Sequence, residues 1–266
     1  MHPVLIDLGF IKIHWYGVLT AAGFLAALWH WRLRGRREGY DFNFCADLML
    51  WTMVGGIVGA RIAYVAANWE TYRETPLKVF AIYEGGLIYY GGFFGAVLAL
   101  GAFAWRRRKP LLPFMDFVVS AVPLGHAFGR IGCFLNGCCH GMPTDGILSV
   151  RYPVRSMPWW WQVEQGLIDR FDPQALPVYP VQLYEAGFNL ALYGLLWVTY
   201  RRGRMPGRVM VMYLLVYPVG RFLLEWMRGD PRHHLGYFTT AQLFSMTLFM
   251  FGWGLYIHAR RSNRSA

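Results

Sequence analysis

Seven apolar runs of about twenty residues fix what this chain can fold into: 13–31, 48–68, 85–105, 113–134, 181–200, 209–227 and 238–257. Each matches the ~20 residues that a helix needs to cross a hydrocarbon core roughly 30 Å thick. No water reaches that core, so every backbone N–H and C=O must be bonded inside the protein, which leaves helices or closed barrels. Barrel strands would be short and alternating, a pattern these runs do not have. Composition agrees: 56% of residues are hydrophobic and 15% charged, against about 25% charged in soluble domains. The expectation is an all-α integral membrane protein, one polytopic domain over residues 1–266 with seven transmembrane helices.

The net charge of +11 is laid out along the chain in a way that orients it. Arg32, Arg34, Arg36 and Arg37 follow the first run and Arg106, Arg107, Arg108 and Lys109 the third. Arg201, Arg202, Arg204 and Arg208 follow the fifth, and Arg260, Arg261 and Arg264 the seventh. Basic residues concentrated on alternate loops mark the cytoplasmic side, so the N-terminus is expected outside and the C-terminus in the cytoplasm. These clusters suit anchoring by anionic lipid and give no reason to expect a nucleic-acid partner. Residues 135–180 form one long external segment with six prolines and the triplet Trp159, Trp160 and Trp161. It reads as a small cap between helices 4 and 5, with the tryptophans at the membrane–water boundary.

Ionisable residues inside the runs are expensive and mark function by default. They are Arg61, His126, Arg130, Glu185, Arg221 and Glu225, with Asp116 close enough to a helix end to snorkel or cap. Arg221 and Glu225 share a helix face at i, i+4, as do His126 and Arg130. The plain reading is mutual neutralisation between helices. Three arginines against two carboxylates leave positive charge over, however, and a guanidinium fork matches phosphate oxygens two at a time. The phosphate available in a membrane is a phospholipid head group. Gly85, Gly86, Gly91, Gly92 and Gly95 suit close helix packing. Gly132 to Gly141 suits either close packing or a broken helix that turns backbone N–H groups toward a ligand.

At this point the residues resemble a family. Gly129-Arg130-Ile131-Gly132-Cys133-Phe134-Leu135-Asn136-Gly137, followed by Gly141, is similar to the signature of the bacterial phosphatidylglycerol–prolipoprotein diacylglyceryl transferases. His14-Trp15-Tyr16-Gly17, Gly59-Ala60-Arg61 and Tyr90-Gly91-Gly92 resemble that family's first three helix motifs. Tyr179-Pro180-Val181-Gln182-Leu183-Tyr184-Glu185 and Arg221-Phe222 with Glu225 and Arg228 resemble two later ones. The matches run in order along nearly the whole chain.

The resemblance implies an enzyme of the bacterial cytoplasmic (inner) membrane, acting as a monomer without a cofactor or bound metal. Its partners would be phosphatidylglycerol and prolipoprotein signal peptides carrying a lipobox cysteine. The cysteine thiolate would attack the glyceryl carbon that bears the phosphate, giving a thioether and glycerol phosphate. It further implies that Arg130 and Arg221 hold the phosphate. Tyr16, Arg61, Asn136, Gly137, Gly141, Gln182, Tyr184, Glu225 and Arg228 would shape the head-group and peptide sites. Tyr90 stands where many relatives carry a His, Cys133 where they carry an Asn, and Cys138 where they carry a Glu. A phenol with pKa near 10 is a weaker resting base than imidazole. Tyr90, His140, His126 and Glu185 therefore share the candidacy for proton acceptor, or a cationic pocket favours the thiolate unaided. Competing readings are a paralogue with altered lipid or acceptor, an anion transporter, and a thiol or metal protein built on Cys133, Cys138, Cys139 and His140. Against the last, the cysteines show neither a common zinc spacing nor a Cys-x-x-Cys exchange pair.

Overall fold

A computed structural model of the protein describes residues 3–9, 12–202 and 205–262. Arg204 and Arg264 of the basic clusters lie outside the described residues. A short antiparallel pair, β1 (Val4–Asp7) and β2 (Lys12–His14), leads into α1 (Trp15–Glu38). There follow α2 (Phe42–Ala67), α3 (Trp69–Glu74), two 3-10 turns, α4 (Tyr89–Arg106), α5 (Leu111–Val119), α6 (Val122–Asn136), α7 (Met157–Glu164), α8 (Val181–Arg202) and α9 (Arg208–Glu225). A small ladder, β3 (His234–Leu235) with β4 (Phe238–Thr239), precedes α10 (Thr240–Ser262). The protein is mostly helical. Two helical stretches, Phe42–Ala67 and Leu111–Asn136, are long and apolar enough to cross a membrane by length and composition.

The chain forms two compact units. One comprises Leu28–Phe114. Here α2 and α4 meet backbone to backbone, because Gly55 and Gly59 face Gly91 and Gly95. A Cβ on Gly95 would collide with the Gly55 carbonyl, and one on Gly59 with the Gly91 carbonyl. These are the close-packing glycines read from the sequence. Phe44, Phe103 and Phe114 stack at one end, with ring centroids 5.1 to 6.4 Å apart. Asp41 caps α2 by accepting from the Phe44 N–H at 2.8 Å.

The other unit comprises Met1–Ala27 with Met115–Ala266. Its helices pack in the order α6–α8–α9–α10, around Leu192, Leu196 and Val209. The fourth apolar run, expected as one helix over 113–134, is two helices with a turn at Ser120–Ala121. Pro123 accounts for the break: it has no N–H to give the Val119 carbonyl and its ring crowds that carbonyl. Asp116 takes the capping role. Its carboxylate accepts from the Gly207 and Met210 N–H groups at 2.7 and 2.8 Å, where a negative charge suits the N-terminus of α9.

Residues 138–180 are ordered. Tyr152, Trp159, Ala175 and Val178 form a small core. Val150 and Val178 exchange backbone hydrogen bonds, and the Gln162 amide clamps both backbone groups of Leu176. Trp159 differs from its neighbours in the triplet. It is 2% exposed, with its indole N–H donated to the Asp172 carbonyl, whereas Trp160 is 44% exposed. Helical spacing on α7 turns one ring of the three inward.

Candidate active site

Helices α6 and α9 and the turn after α9 converge on Glu185, which is 1% exposed on the first turns of α8. The Arg130 Nη2 from α6 lies 3.1 Å from its Oε1, and the Arg221 Nε from α9 lies 3.9 Å from the same atom. The Arg228 Nη1 lies 4.0 Å from Oε2. Among the described residues neither Glu185 oxygen accepts a well-formed hydrogen bond. His126 Nε2 is 3.5 Å from Glu185 and 3.2 Å from the Arg130 Nε. A guanidinium N–H can only donate, so that imidazole nitrogen is the acceptor and its lone pair is engaged.

A tighter set of pairs surrounds this centre. Arg221 donates to Glu225 at 2.6 Å, and the Thr239 hydroxyl donates to the other Glu225 oxygen at 2.9 Å. Arg228 grips Asp230 with two nitrogens at 3.1 and 3.2 Å, and Arg232 donates to Asp230 at 2.8 Å. Arg232 Nε also lies 3.7 Å from Glu225. Four guanidiniums thus stand against three carboxylates, and one positive charge is left over.

Sequence reasoning reached this excess through a different membership. Arg61 belongs to the smaller unit, where its guanidinium donates to the carbonyls of Lys78, Val79, Gly85 and Gly86 at 2.6 to 3.2 Å. It knits the turns before α4 to α2. Asp230, Arg232 and Thr239 were not singled out. The signals were present: the charge-dense Arg228-Gly229-Asp230-Pro231-Arg232, and the capping box Thr239-x-x-Gln242. In that box the Thr239 N–H meets Gln242 Oε1 at 3.0 Å and the Gln242 N–H meets Thr239 Oγ1 at 3.2 Å.

The signature segment is held by backbone pairing. Gly137 ends α6 in the left-handed region at φ 78°. Gly141 donates to the Tyr179 carbonyl at 3.1 Å and forms a bridge with Arg228. A Cβ on Gly141 would collide with the Tyr179 carbonyl, so its N–H serves the fold and only glycine fits. Gln182 donates to the Cys138 carbonyl at 2.8 Å and to the Tyr152 hydroxyl at 3.2 Å. Asn136 is the last residue of α6. Tyr16 backs Gly132, where a Cβ would sit 3.3 Å from the Tyr16 Cα. His140 is 2% exposed, with Nδ1 at 3.1 Å from the Gly141 carbonyl and its ring 5.2 Å from that of Trp161. Burial pushes its pKa below the ordinary histidine value.

Tyr184, one residue before Glu185, lines an open apolar groove of about 460 Å³ with Phe188, Val216, Val219, Gly220 and Leu223. Gly220 sits against the Phe188 ring, with no room for a Cβ. Tyr90, in the smaller unit, occupies the first turn of α4, half-buried and edge-on to Tyr89 at 5.6 Å.

The larger unit thus carries an arginine-rich cluster of net positive charge and an apolar groove lined by Tyr184, the residue before Glu185. The family model for prolipoprotein diacylglyceryl transferase matches residues 3–258. The phosphatidylglycerol–prolipoprotein diacylglyceryl transferase 2 of Clostridium perfringens (strain 13 / Type A) is 30% identical over 257 residues, covering 96% of this chain and 94% of that protein. The phosphatidylglycerol–prolipoprotein diacylglyceryl transferase of Cupriavidus metallidurans is 34% identical over 275 residues, covering 99% and 95%. The chain belongs to the prolipoprotein diacylglyceryl transferase family, whose members are membrane enzymes.

Proposed function

We propose that the protein transfers the diacylglyceryl group of phosphatidylglycerol to the lipobox cysteine of a prolipoprotein signal peptide. The thiolate sulfur attacks the glyceryl carbon esterified to phosphate. A C–S bond forms, the C–O bond breaks, and glycerol phosphate leaves with the bonding electrons. The phosphate goes from a diester with one negative charge to a monoester with nearly two, so negative charge grows on it as the bond breaks. The observation that carries this reading is the cluster of four arginines, one buried and three half-buried, against three carboxylates. Preorganised cations act most where charge develops in a water-poor site.

Arg130 and Arg221 hold the phosphate, with Arg228 completing the guanidinium ring around Glu185. Glu185 and Glu225 orient these arginines. Asn136, Gly137, Gly141, Gln182 and Tyr16 fix the backbone and helix contacts that frame the head group. The groove beside Tyr184 suits an acyl chain or the apolar signal peptide. Arg61 supports the turns before α4, and Tyr90 is a chemical candidate on the family resemblance alone. Of the candidate proton acceptors, His126 has its Nε2 engaged by Arg130, which leaves His140, Glu185 and Tyr90. The reading includes seven membrane crossings over one polytopic domain, with α5 and α6 together forming the fourth. Residues 135–180 form an external cap, the N-terminus lies outside, and the basic clusters face the cytoplasm of the bacterial inner membrane. The protein acts as a monomer.

The test is purified protein with labelled phosphatidylglycerol and a lipobox peptide, paired with rescue of a strain lacking the transferase. Appearance of a thioether-linked diacylglyceryl peptide and of glycerol phosphate is the expected result. Absence of both from folded protein would overturn the reading.

A further inference from the structure

Three sulfurs meet where α6 ends. Cys133 is on its last turn, and Cys138 and Cys139 follow Gly137. All three Sγ atoms lie within 4.8 Å of one another. The backbone enforces this meeting. Gly137 reverses the chain in the left-handed region, and Cys139 is itself left-handed at φ 60°, a region that non-glycine residues seldom occupy. The Cys138 carbonyl is pinned by Gln182, and its thiol points at the Cys133 carbonyl at 3.7 Å. Arg228 and Arg130 both lie near enough for their charges to act on the Cys139 sulfur.

The transfer reaction takes its thiol from the substrate and leaves these three unused. All are free thiols, and three is one too many for a disulfide. Among the described residues no carboxylate or imidazole joins the group, and His140 turns Nδ1 to the Gly141 carbonyl. The donor set is therefore three soft sulfurs. Soft ligands select soft ions such as monovalent copper, whereas structural zinc takes four protein ligands. A metal–sulfur bond of about 2.3 Å places the sulfurs of a planar three-coordinate site roughly 4.0 Å apart, so a shift of under about 1 Å closes the group. A monovalent ion with three thiolates carries two negative charges, and Arg130 and Arg228 stand beside it. Cys138 and Cys139 are partly exposed and give the ion its entry.

We propose that Cys133, Cys138 and Cys139 form a three-sulfur site for a soft monovalent cation of the copper(I) class. Binding exchanges thiol protons for the ion, and no electron is transferred. The experiment uses the full-length protein in detergent, reduced and oxygen-free, titrated with copper(I) against a coloured chelator of known affinity. One equivalent should bind, X-ray absorption should show three sulfur neighbours, and Cys45→Ser should change nothing. Cys138→Ser and Cys139→Ser should each weaken binding at least about tenfold, and the triple serine variant should lose binding while keeping most transfer activity. If Cys133→Ser does not insert, the other two single variants decide. Equal copper affinity in the triple variant would overturn the site. So would two-sulfur coordination indifferent to Cys133→Ser, preferential retention of zinc, or a stable disulfide among the three that excludes the ion.

Discussion

Replacing Arg130 by Ala separates the two readings of the buried charge, neutralisation and phosphate binding. At an effective dielectric near 20, a 3.1 Å pair is worth about 5 kcal/mol and a 4 Å pair about 4 kcal/mol. Glu185 would therefore lose roughly two-fifths of its attraction and keep Arg221 and Arg228 at 3.9 and 4.0 Å. Breaking a buried pair typically costs ~3–5 kcal/mol. With two cations still beside Glu185, the low end, about 3 kcal/mol, is expected. Loss of a preorganised donor to the developing charge should lower turnover by ~10²–10³. The double variant Arg130→Ala with Glu185→Gln removes the orphaned carboxylate charge. If Arg130 only neutralises Glu185, the double variant regains both stability and turnover. If it holds phosphate, melting temperature recovers and transfer from labelled phosphatidylglycerol does not. A folded Arg130→Ala protein with full turnover, or a double variant with restored turnover, would refute the assignment.

Three further outcomes follow from the geometry. Tyr90→Phe should lose at least about tenfold in turnover, about 1.4 kcal/mol of transition-state stabilisation, and Tyr90→His should keep activity; a silent Phe variant would remove Tyr90 from the chemistry. Gly95→Leu should cost about 1–3 kcal/mol or more in a thermal melt, because α2 and α4 touch through backbone at that point; an unchanged melt would contradict that contact. Glu225→Gln should lower thermal stability more than Glu185→Gln does, read by melting the two variants side by side, and equal melts would deny the difference between their bonding shells.

Much of the helical layout was legible because hydropathy reports which residues avoid water. It does not report where a helix ends. The first run stopped at residue 31, yet α1 continues to Glu38 through arginines that are good helix formers. The third run began at 85, yet α4 begins at Tyr89, since Gly85 and Gly86 take positive φ and hold Arg61 through their carbonyls. Buried charges inside the runs were legible for the same reason, being costly where they stand. Asp230 and Arg232 lie just beyond a run, where charge is ordinary, so only the fold reveals that they close the cluster.

The cluster's bonding also tells which of its members can yield to a ligand. Glu225 and Asp230 are held by short pairs of 2.6 to 3.2 Å with saturating partners. Glu185 draws three guanidiniums at 3.1 to 4.0 Å without one well-formed hydrogen bond. Four arginines drawn this far out of water without counter-charges would carry a desolvation cost of several kcal/mol per ion where burial is complete. Two carboxylates that never let go and one that holds loosely reduce that cost while leaving guanidinium faces open to exchange. On the proposed reading a lipid phosphate would compete at Glu185, which has no well-formed hydrogen bond to lose, while Glu225 and Asp230 would keep Arg221, Arg228 and Arg232 in place. Purely structural glue would have no reason to leave a carboxylate as buried as Glu185 the worst bonded.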